Sequence, residues 1–257
     1  PDSEENMKDI ALYLKDSLTS RLPADELDKG VEILSKKSAG RFVYLRYAVE
    51  KIQERTEMTL AGLGAFPDGV YGFYENQFER IMGQTFDENH PLWRTIELVI
   101  AACEPLTEEL IEAFTGCTRK QRIQCIKALS SFFPVRDHRL HVFHKSVKDF
   151  FVDPERADEL LYVDVKEVHQ RMGKQCMKMD AKYGIEHCIQ HLYEAGEMAL
   201  VKQQVFDWEW LKKRASLSIH GLLHDLKMAK DKMMSLVHGA VSISLAILEK
   251  DLSQLGI

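Results

Sequence analysis

The residue of this chain that is best placed for chemistry is a single histidine, His144. It follows a short apolar run at residues 140–143, which predicts a strand, and it precedes an amphipathic run at residues 145–151, which predicts a helix. A histidine at the start of a helix can donate a hydrogen bond to an anion, and the exposed backbone N–H groups there add partial positive charge. The same position also suits a structural histidine that closes a strand-to-helix corner.

A local excess of basic residues surrounds this histidine. The chain has a formal net charge of −6, yet residues 119–148 hold eight Lys or Arg residues and one Asp. Such a stretch indicates an anionic partner: nucleotide phosphate, nucleic acid or an acidic protein surface. The alternative is a solvated face whose charges pair with the acidic flanks. The candidate interface residues are Arg119, Lys120, Arg122, Arg136 and Arg139.

Two pairs of histidines have the spacing that places both rings on one face of a helix: His187 with His191, and His220 with His224. Metal ligation would need further ligands, and neither pair has the glutamate of the H-E-x-x-H motif. We therefore predict packing roles for these histidines and no metal site.

The chain carries no recognisable catalytic motif. It has no G-x-x-x-x-G-K-[ST] phosphate loop, no G-x-G-x-x-G turn and no G-x-S-x-G elbow. Its five cysteines form an odd set without C-x-x-C spacing, which favours reduced thiols over disulfides. We predict that the chain is not an enzyme by itself.

Composition predicts a soluble globular chain. Of 257 residues, 45% are hydrophobic and 29% are charged, and no apolar run is long enough to cross a membrane. The first residues lack the basic and then apolar pattern of a signal peptide. These features predict a cytoplasmic location and no membrane partner.

The hydrophobic periodicity predicts a mainly α fold in three parts. Residues 1–88 form a helical domain, with helices at residues 6–20, 24–38, 42–49 and 70–81, a loop at residues 60–69 and a polar boundary segment at residues 84–91.

The second predicted part, residues 89–156, has the element order of a winged-helix domain. Three short helices span residues 92–103, 107–114 and 118–130, and a small β-hairpin wing joins residues 132–135 to residues 140–143. Thr107 is the predicted N-cap of the middle helix. The third part, residues 157–257, is predicted to be an all-α domain of helical pairs that could stack as a solenoid.

With these residues in view, the chain resembles the region that follows the nucleotide-binding core of STAND-class P-loop NTPases of the NACHT type, which are related to NB-ARC proteins. Five stretches carry the resemblance: residues 38–45; residues 63–81, with a proline-glycine loop and a tyrosine-bearing helix; residues 103–107; residues 142–150, which resemble the histidine motif; and residues 160–196. The likeness as a whole covers roughly residues 5–210.

The resemblance implies a regulatory region of a signal-transduction NTPase. His144 would take the position of the sensor histidine, which touches the β-phosphate of ADP in the resting state. The cofactors would be ADP or ATP with Mg, bound only with an upstream core. The partners would be that nucleotide-binding domain and other protein subunits. Lys145 and the pair Arg41-Phe42 depart from the NB-ARC pattern, which prefers aspartate and leucine-proline there.

Two other functions stay open from the residues alone. In a winged-helix nucleic-acid-binding protein, the helix at residues 118–130 would enter the major groove while Arg136 and Arg139 touch phosphates. The acidic remainder of the chain makes nucleic acid the less favoured partner. In a helical adaptor or scaffold, exposed aromatic residues around Trp208 and Trp210 would line a peptide-binding surface, although buried tryptophans are the better expectation.

Overall fold

The computed structural model describes residues 3–55, 57–83 and 87–232, with side chains as far as residue 229. Within these residues the fold is mainly α, with fourteen α-helices and one small sheet. The helices are α1 (Glu4–Leu18), α2 (Leu27–Ser38), α3 (Phe42–Gln53), α4 (Leu60–Gly64), α5 (Gly69–Met82), α6 (Pro91–Ala101), α7 (Glu108–Thr115), α8 (Arg119–Leu129), α9 (Lys145–Val152), α10 (Val165–Cys176), α11 (Lys182–Glu194), α12 (Met198–Val205), α13 (Trp208–Leu217) and α14 (Ile219–Lys232).

Helix ends follow the local chemistry of the sequence. Thr107 is the N-cap of α7 and accepts a hydrogen bond from the Leu110 N–H at 3.4 Å, with acidic residues in the first turn. At the end of α2, both Ala39 and Gly40 adopt left-handed backbone conformations, with φ of 44° and 70°. The helix therefore ends in two left-handed residues, an alanine and a glycine.

The sheet has three antiparallel strands of two residues each: β1 (Leu106–Thr107), β2 (Val135–Arg136) and β3 (Arg139–Leu140), in the order β1-β3-β2. The hairpin between β2 and β3 turns through Asp137 and His138, whose φ values are 48° and 59°. Two consecutive left-handed residues match the twist that a two-residue hairpin loop requires.

Three predictions about local structure are wrong. The loop predicted at residues 60–69 contains α4, because Thr59 caps it by accepting a hydrogen bond from the Gly62 N–H. The wing strands are shorter than predicted, and residues 132–134 and 141–143 lie outside them. As a result His144 follows an irregular segment rather than a strand.

Contacts divide the chain into two compact units. The first unit contains residues 1–88, 126–134 and 142–162; the second contains residues 89–125 and 135–141 and continues from residue 163. The chain first passes from one unit to the other between residues 88 and 89, which is the predicted boundary of the first domain. The division into three domains stays a prediction. Residues 84–86 of the boundary segment and residues 233–257 of the last predicted domain lie outside the described residues.

The first unit has an aromatic core. Tyr47 stacks on Phe73 at 4.8 Å between ring centroids, and Phe78 lies 4.5 Å from Phe132 and 4.7 Å from Phe151. These rings come from α3, α5, α9 and the residues before the hairpin. Aromatic burial on this scale is a large part of the apolar stabilisation of such a small unit.

The second unit is held by close contact between α10 and α11. Gly173 of α10 lies so close to Leu192 of α11 that a Cβ at position 173 would stand 2.7 Å from Leu192 Cδ2 and 3.1 Å from its backbone nitrogen. Only glycine fits this crossing without displacing a helix. Farther along, Arg214 and Asp225 form a buried ion pair at 2.7 Å.

None of the described helices combines the length and the apolar character needed to cross a membrane.

Replacing Phe78 with alanine tests the aromatic core of the first unit. Phe78 is fully buried, so Phe78→Ala should lower the free energy of unfolding by about 3–5 kcal/mol. Urea denaturation followed by circular dichroism measures this loss. Phe42→Ala is the matched control, because Phe42 is 42% exposed and its replacement should lower the free energy of unfolding far less. Similar losses in both variants would contradict the core assignment.

Candidate functional site

His144 lies exposed at the N-terminus of α9 and caps that helix. Its backbone is extended, with φ of −147° and ψ of 145°, and its Nδ1 accepts a hydrogen bond from the Ser146 N–H at 3.1 Å. The cap satisfies one of the backbone donors that every helix leaves unpaired at its start. The side chain is therefore held in place by the helix that it begins.

A buried tyrosine extends this cap into the core of the first unit. The Tyr74 hydroxyl lies 2.7 Å from Ser146 Oγ, and Ser146 Oγ lies 2.7 Å from His144 Nδ1. Tyr74 is fully buried, and burial raises the pKa of its hydroxyl, so the tyrosine keeps its proton. The consistent arrangement is that Tyr74 donates to Ser146 Oγ, while Ser146 donates to His144 Nδ1.

These hydrogen bonds select one tautomer of His144. Because Nδ1 accepts from Ser146, the proton of the neutral ring must lie on Nε2. The exposed ring can then offer an Nε2–H donor beside the N-terminal backbone N–H groups of α9 and the exposed Lys145 and Lys148. This arrangement is chemically suited to a phosphate or another anion.

Arg122, one of the predicted interface residues, is nearly buried and ion-paired. Arg122 is 9% exposed, and its guanidinium contacts Glu108 and Glu112, each at 2.8 Å. It joins α8 to α7 inside the second unit, so it is not part of an open basic surface. By contrast, Arg119 and Lys120, at the start of α8, are exposed.

The two wing arginines also differ from each other. Arg136 is exposed at the end of β2. Arg139 of β3 is held by the carboxylate of Glu104 at 3.1 Å and by the Pro105 carbonyl at 2.8 Å. The guanidinium of Arg139 thus contacts the loop before β1 while its side chain stays 39% exposed, and its role at an interface stays a prediction.

A second cluster of chemistry-bearing residues lies in the second unit. His191 is fully buried; its Nδ1 lies 2.7 Å from His169 Nδ1, and its Nε2 lies 2.9 Å from the Tyr183 hydroxyl. The Cys103 backbone N–H donates to the same hydroxyl at 3.3 Å, and Cys103 Sγ lies 3.6 Å from His191 Nε2.

The surroundings of His191 keep it neutral. Burial above all, together with the neighbouring His169 and His187, lowers its pKa to about 3. Burial also raises the pKa of Tyr183 above its ordinary value, so Tyr183 can donate to His191 Nε2 while His191 Nδ1–H donates to His169. The cluster is a hydrogen-bonded network that links His169 of α10 to His191 and Tyr183 of α11.

No group of three or more metal-ligating side chains occurs among residues 3–55, 57–83 and 87–229. His187 and His191 lie on α11 as the spacing predicts, and His191 takes the buried packing role. His220 and His224 of α14 are exposed. All five cysteines are free thiols in the structure.

The two tryptophans of the adaptor hypothesis differ in exposure. Trp208 is 67% exposed, whereas Trp210 is 6% exposed and belongs to the core of the second unit. Of these two tryptophans, Trp210 is buried as expected and Trp208 is not.

The link between Tyr74 and His144 is the feature that sequence reasoning missed. The two residues lie seventy positions apart, and the sequence pattern places Tyr74 only within the predicted helix at residues 70–81. The sequence signal that could have indicated this link is the hydroxyl of Tyr74 on an otherwise apolar helix face. A buried tyrosine oxygen needs a hydrogen-bond partner.

Comparisons with protein-family models, with curated protein sequences and with solved structures give no match to this chain.

The buried His191 should make the stability of the second unit depend on pH. In the unfolded chain His191 binds a proton below about pH 6.5, whereas in the folded protein it stays neutral until about pH 3. Between these values the unfolded state binds more protons, so stability should fall as the pH falls, by up to about 1.4 kcal/mol per pH unit from this residue.

Urea unfolding at several pH values between 7 and about 4 measures this effect. His191→Gln should lower stability at neutral pH but flatten its decline in acid. His220→Gln, which changes an exposed histidine of the same unit, should leave both unchanged. Equal pH slopes for the wild-type protein and His191→Gln would contradict the account.

Proposed function

We propose that this chain is the non-catalytic regulatory region of a STAND-class P-loop NTPase of the NACHT type. In this role it couples the nucleotide state of an upstream core to domain docking and to oligomerisation. The observation that carries the proposal is the exposed ring of His144 at the start of α9, whose Nδ1 lies within hydrogen-bond distance of the Ser146 N–H and hydroxyl. With Nδ1 as the acceptor, the proton of the neutral ring lies on Nε2 and can be donated to a phosphate.

The order of elements supports a winged helix for the central part of the chain. A helix, a strand, two further helices and a two-stranded hairpin follow one another from α6 to β3, and the first strand pairs with the last. This order agrees with the resemblance, in which the sensor histidine follows the wing. His144 comes four residues after β3 ends.

The proposed mechanism is a shift between two positions of the histidine-bearing helix. His144 would donate to a phosphate oxygen of bound ADP in one position and lose that bond in the other. A nucleotide can shift the equilibrium only by its difference in affinity for the two states. The bond made by His144 supplies such a difference, and oligomerisation follows from the released position. Mg and the remaining phosphate contacts would come from the upstream core.

Nucleotide titration of a protein in which this region follows its nucleotide-binding core tests the role of His144. His144→Ala should weaken ADP binding by about tenfold, the effect of one lost hydrogen bond to a charged group, and weaken ATP binding less. Isothermal titration calorimetry measures both affinities.

Two variants serve as controls. His138→Ala changes an exposed histidine of the hairpin turn and should leave the affinity for ADP unchanged. Ser146→Ala removes the hydroxyl that joins His144 to Tyr74 and should weaken ADP binding less than His144→Ala. An unchanged affinity for ADP in His144→Ala would leave His144 as a corner cap only.

The nucleic-acid alternative has one specific observation in its favour: Arg119, Lys120 and Arg136 are exposed near the first turn of α8 and on the hairpin. Against it, Arg122 and Arg139 are already bound to carboxylates. We expect no retardation of duplex DNA in a gel-shift assay at about 0.15 M salt. A shift that disappears in Arg119→Glu and survives in Arg122→Gln would favour the nucleic-acid function instead.

A further inference from the structure

The first unit contains a wide cleft that the nucleotide-sensing proposal does not use. It has a volume of about 1070 Å³ and lies between the second half of α5 and the segment that follows α9. Its apolar lining includes Met82, Leu160 and Leu161. A cleft of this size can hold a segment of a partner protein rather than a single side chain.

An exposed leucine stands in this cleft. Leu160 is 71% exposed, whereas the neighbouring Leu161 is 5% exposed and belongs to the core. Exposed leucines are common one at a time, and an isolated one needs no explanation. Leu160 differs because it lines a concave surface together with other apolar groups, as in a binding groove.

Carboxylates surround the apolar part of the cleft. Four acidic residues and one basic residue line it: Glu75, Glu79, Asp158, Glu159 and Arg80. Arg156 contacts two of the acids, Glu75 at 3.5 Å and Glu159, and its guanidinium lies 4.2 Å from the centre of the Phe150 ring. This arginine fixes the position of those two carboxylates and neutralises part of their charge.

The other two acids are not balanced in this way. Neither Glu79 nor Asp158 forms an ion pair within 4 Å among the residues that the structure describes. Both are exposed. The cleft therefore combines an apolar lining with a carboxylate on each of its two walls, Glu79 on α5 and Asp158 on the segment after α9. The four lining acids outnumber Arg80, the one basic residue of the lining, and Arg156, so the cleft keeps an excess of negative charge.

We propose that this cleft docks a basic segment of a partner protein that carries one large apolar side chain between Lys or Arg residues. The apolar side chain would cover Leu160, and the flanking cations would pair with Glu79 and Asp158. Complementary charge of this kind speeds association and excludes wrong partners. Nucleic acid and anionic membranes do not fit, because the carboxylates repel them. The proposal uses no contact of His144 and is independent of the nucleotide-sensing role.

The test uses the 257-residue protein and a short fluorescein-labelled peptide with one leucine flanked by lysines and arginines. Fluorescence anisotropy measures binding at low and moderate salt. The peptide should bind at low salt, and its affinity should fall as the salt concentration rises, because salt screens exposed charge pairs. A peptide with alanine in place of the leucine should bind at least about tenfold more weakly, since it lacks the apolar contact.

Substitutions in the cleft should weaken peptide binding, whereas matched substitutions elsewhere should not. Leu160→Asp and Asp158→Lys should each lower the affinity for the peptide by about tenfold. Leu12→Asp changes an equally exposed leucine of α1, and Asp16→Lys makes the same charge reversal on α1; both should leave binding unchanged. Thermal unfolding of each variant verifies that the protein is folded.

Three outcomes would overturn the proposal. Equal binding of the leucine and alanine peptides would show non-specific attraction to an acidic protein. Equal effects of Asp158→Lys and Asp16→Lys would place the binding outside the cleft. Self-association of the chain that Leu160→Asp abolishes, measured by sedimentation velocity, would make a second copy the occupant instead of a basic partner.

Discussion

The buried hydroxyl of Tyr74 is the constraint on which the proposed sensing site depends. Its ring is part of the aromatic core, with Tyr47, Phe132 and Phe150 as neighbours, and its oxygen must find a hydrogen-bond partner because it is shielded from water. That partner is Ser146, which in turn contacts His144. The packing that stabilises the first unit therefore also sets which nitrogen of His144 carries the proton.

The histidines show how position within the fold changes what one residue type can do. His144 lies at an exposed helix start and keeps a donor for an external group. His191 is enclosed by His169, Tyr183 and Cys103, where burial keeps it uncharged and its hydrogen bonds are all internal. A histidine in the second setting stabilises a helix pair at neutral pH, and one in the first can recognise an anion.

Much of the fold could be predicted from periodicity. The mainly α character, the helix starts at Thr107 and His144 and the end of α9 before Pro154 follow from side chains within a few residues of one another. What the periodicity did not show has two causes, one local and one long-range. The capped turn of α4 was hidden by its glycines, and the partners of Arg122 and Arg139 lie up to thirty-five residues away in the chain.

By itself the sequence determined the mainly α character, the local excess of basic charge and the place of His144 at a helix start, because each depends on local propensity and spacing. Only the tertiary structure decided which charges are open to a partner. It paired Arg122 and Arg139 internally and left Arg119, Lys120, Glu79 and Asp158 exposed. Pairing and burial arise when distant segments pack together, and no local pattern specifies them.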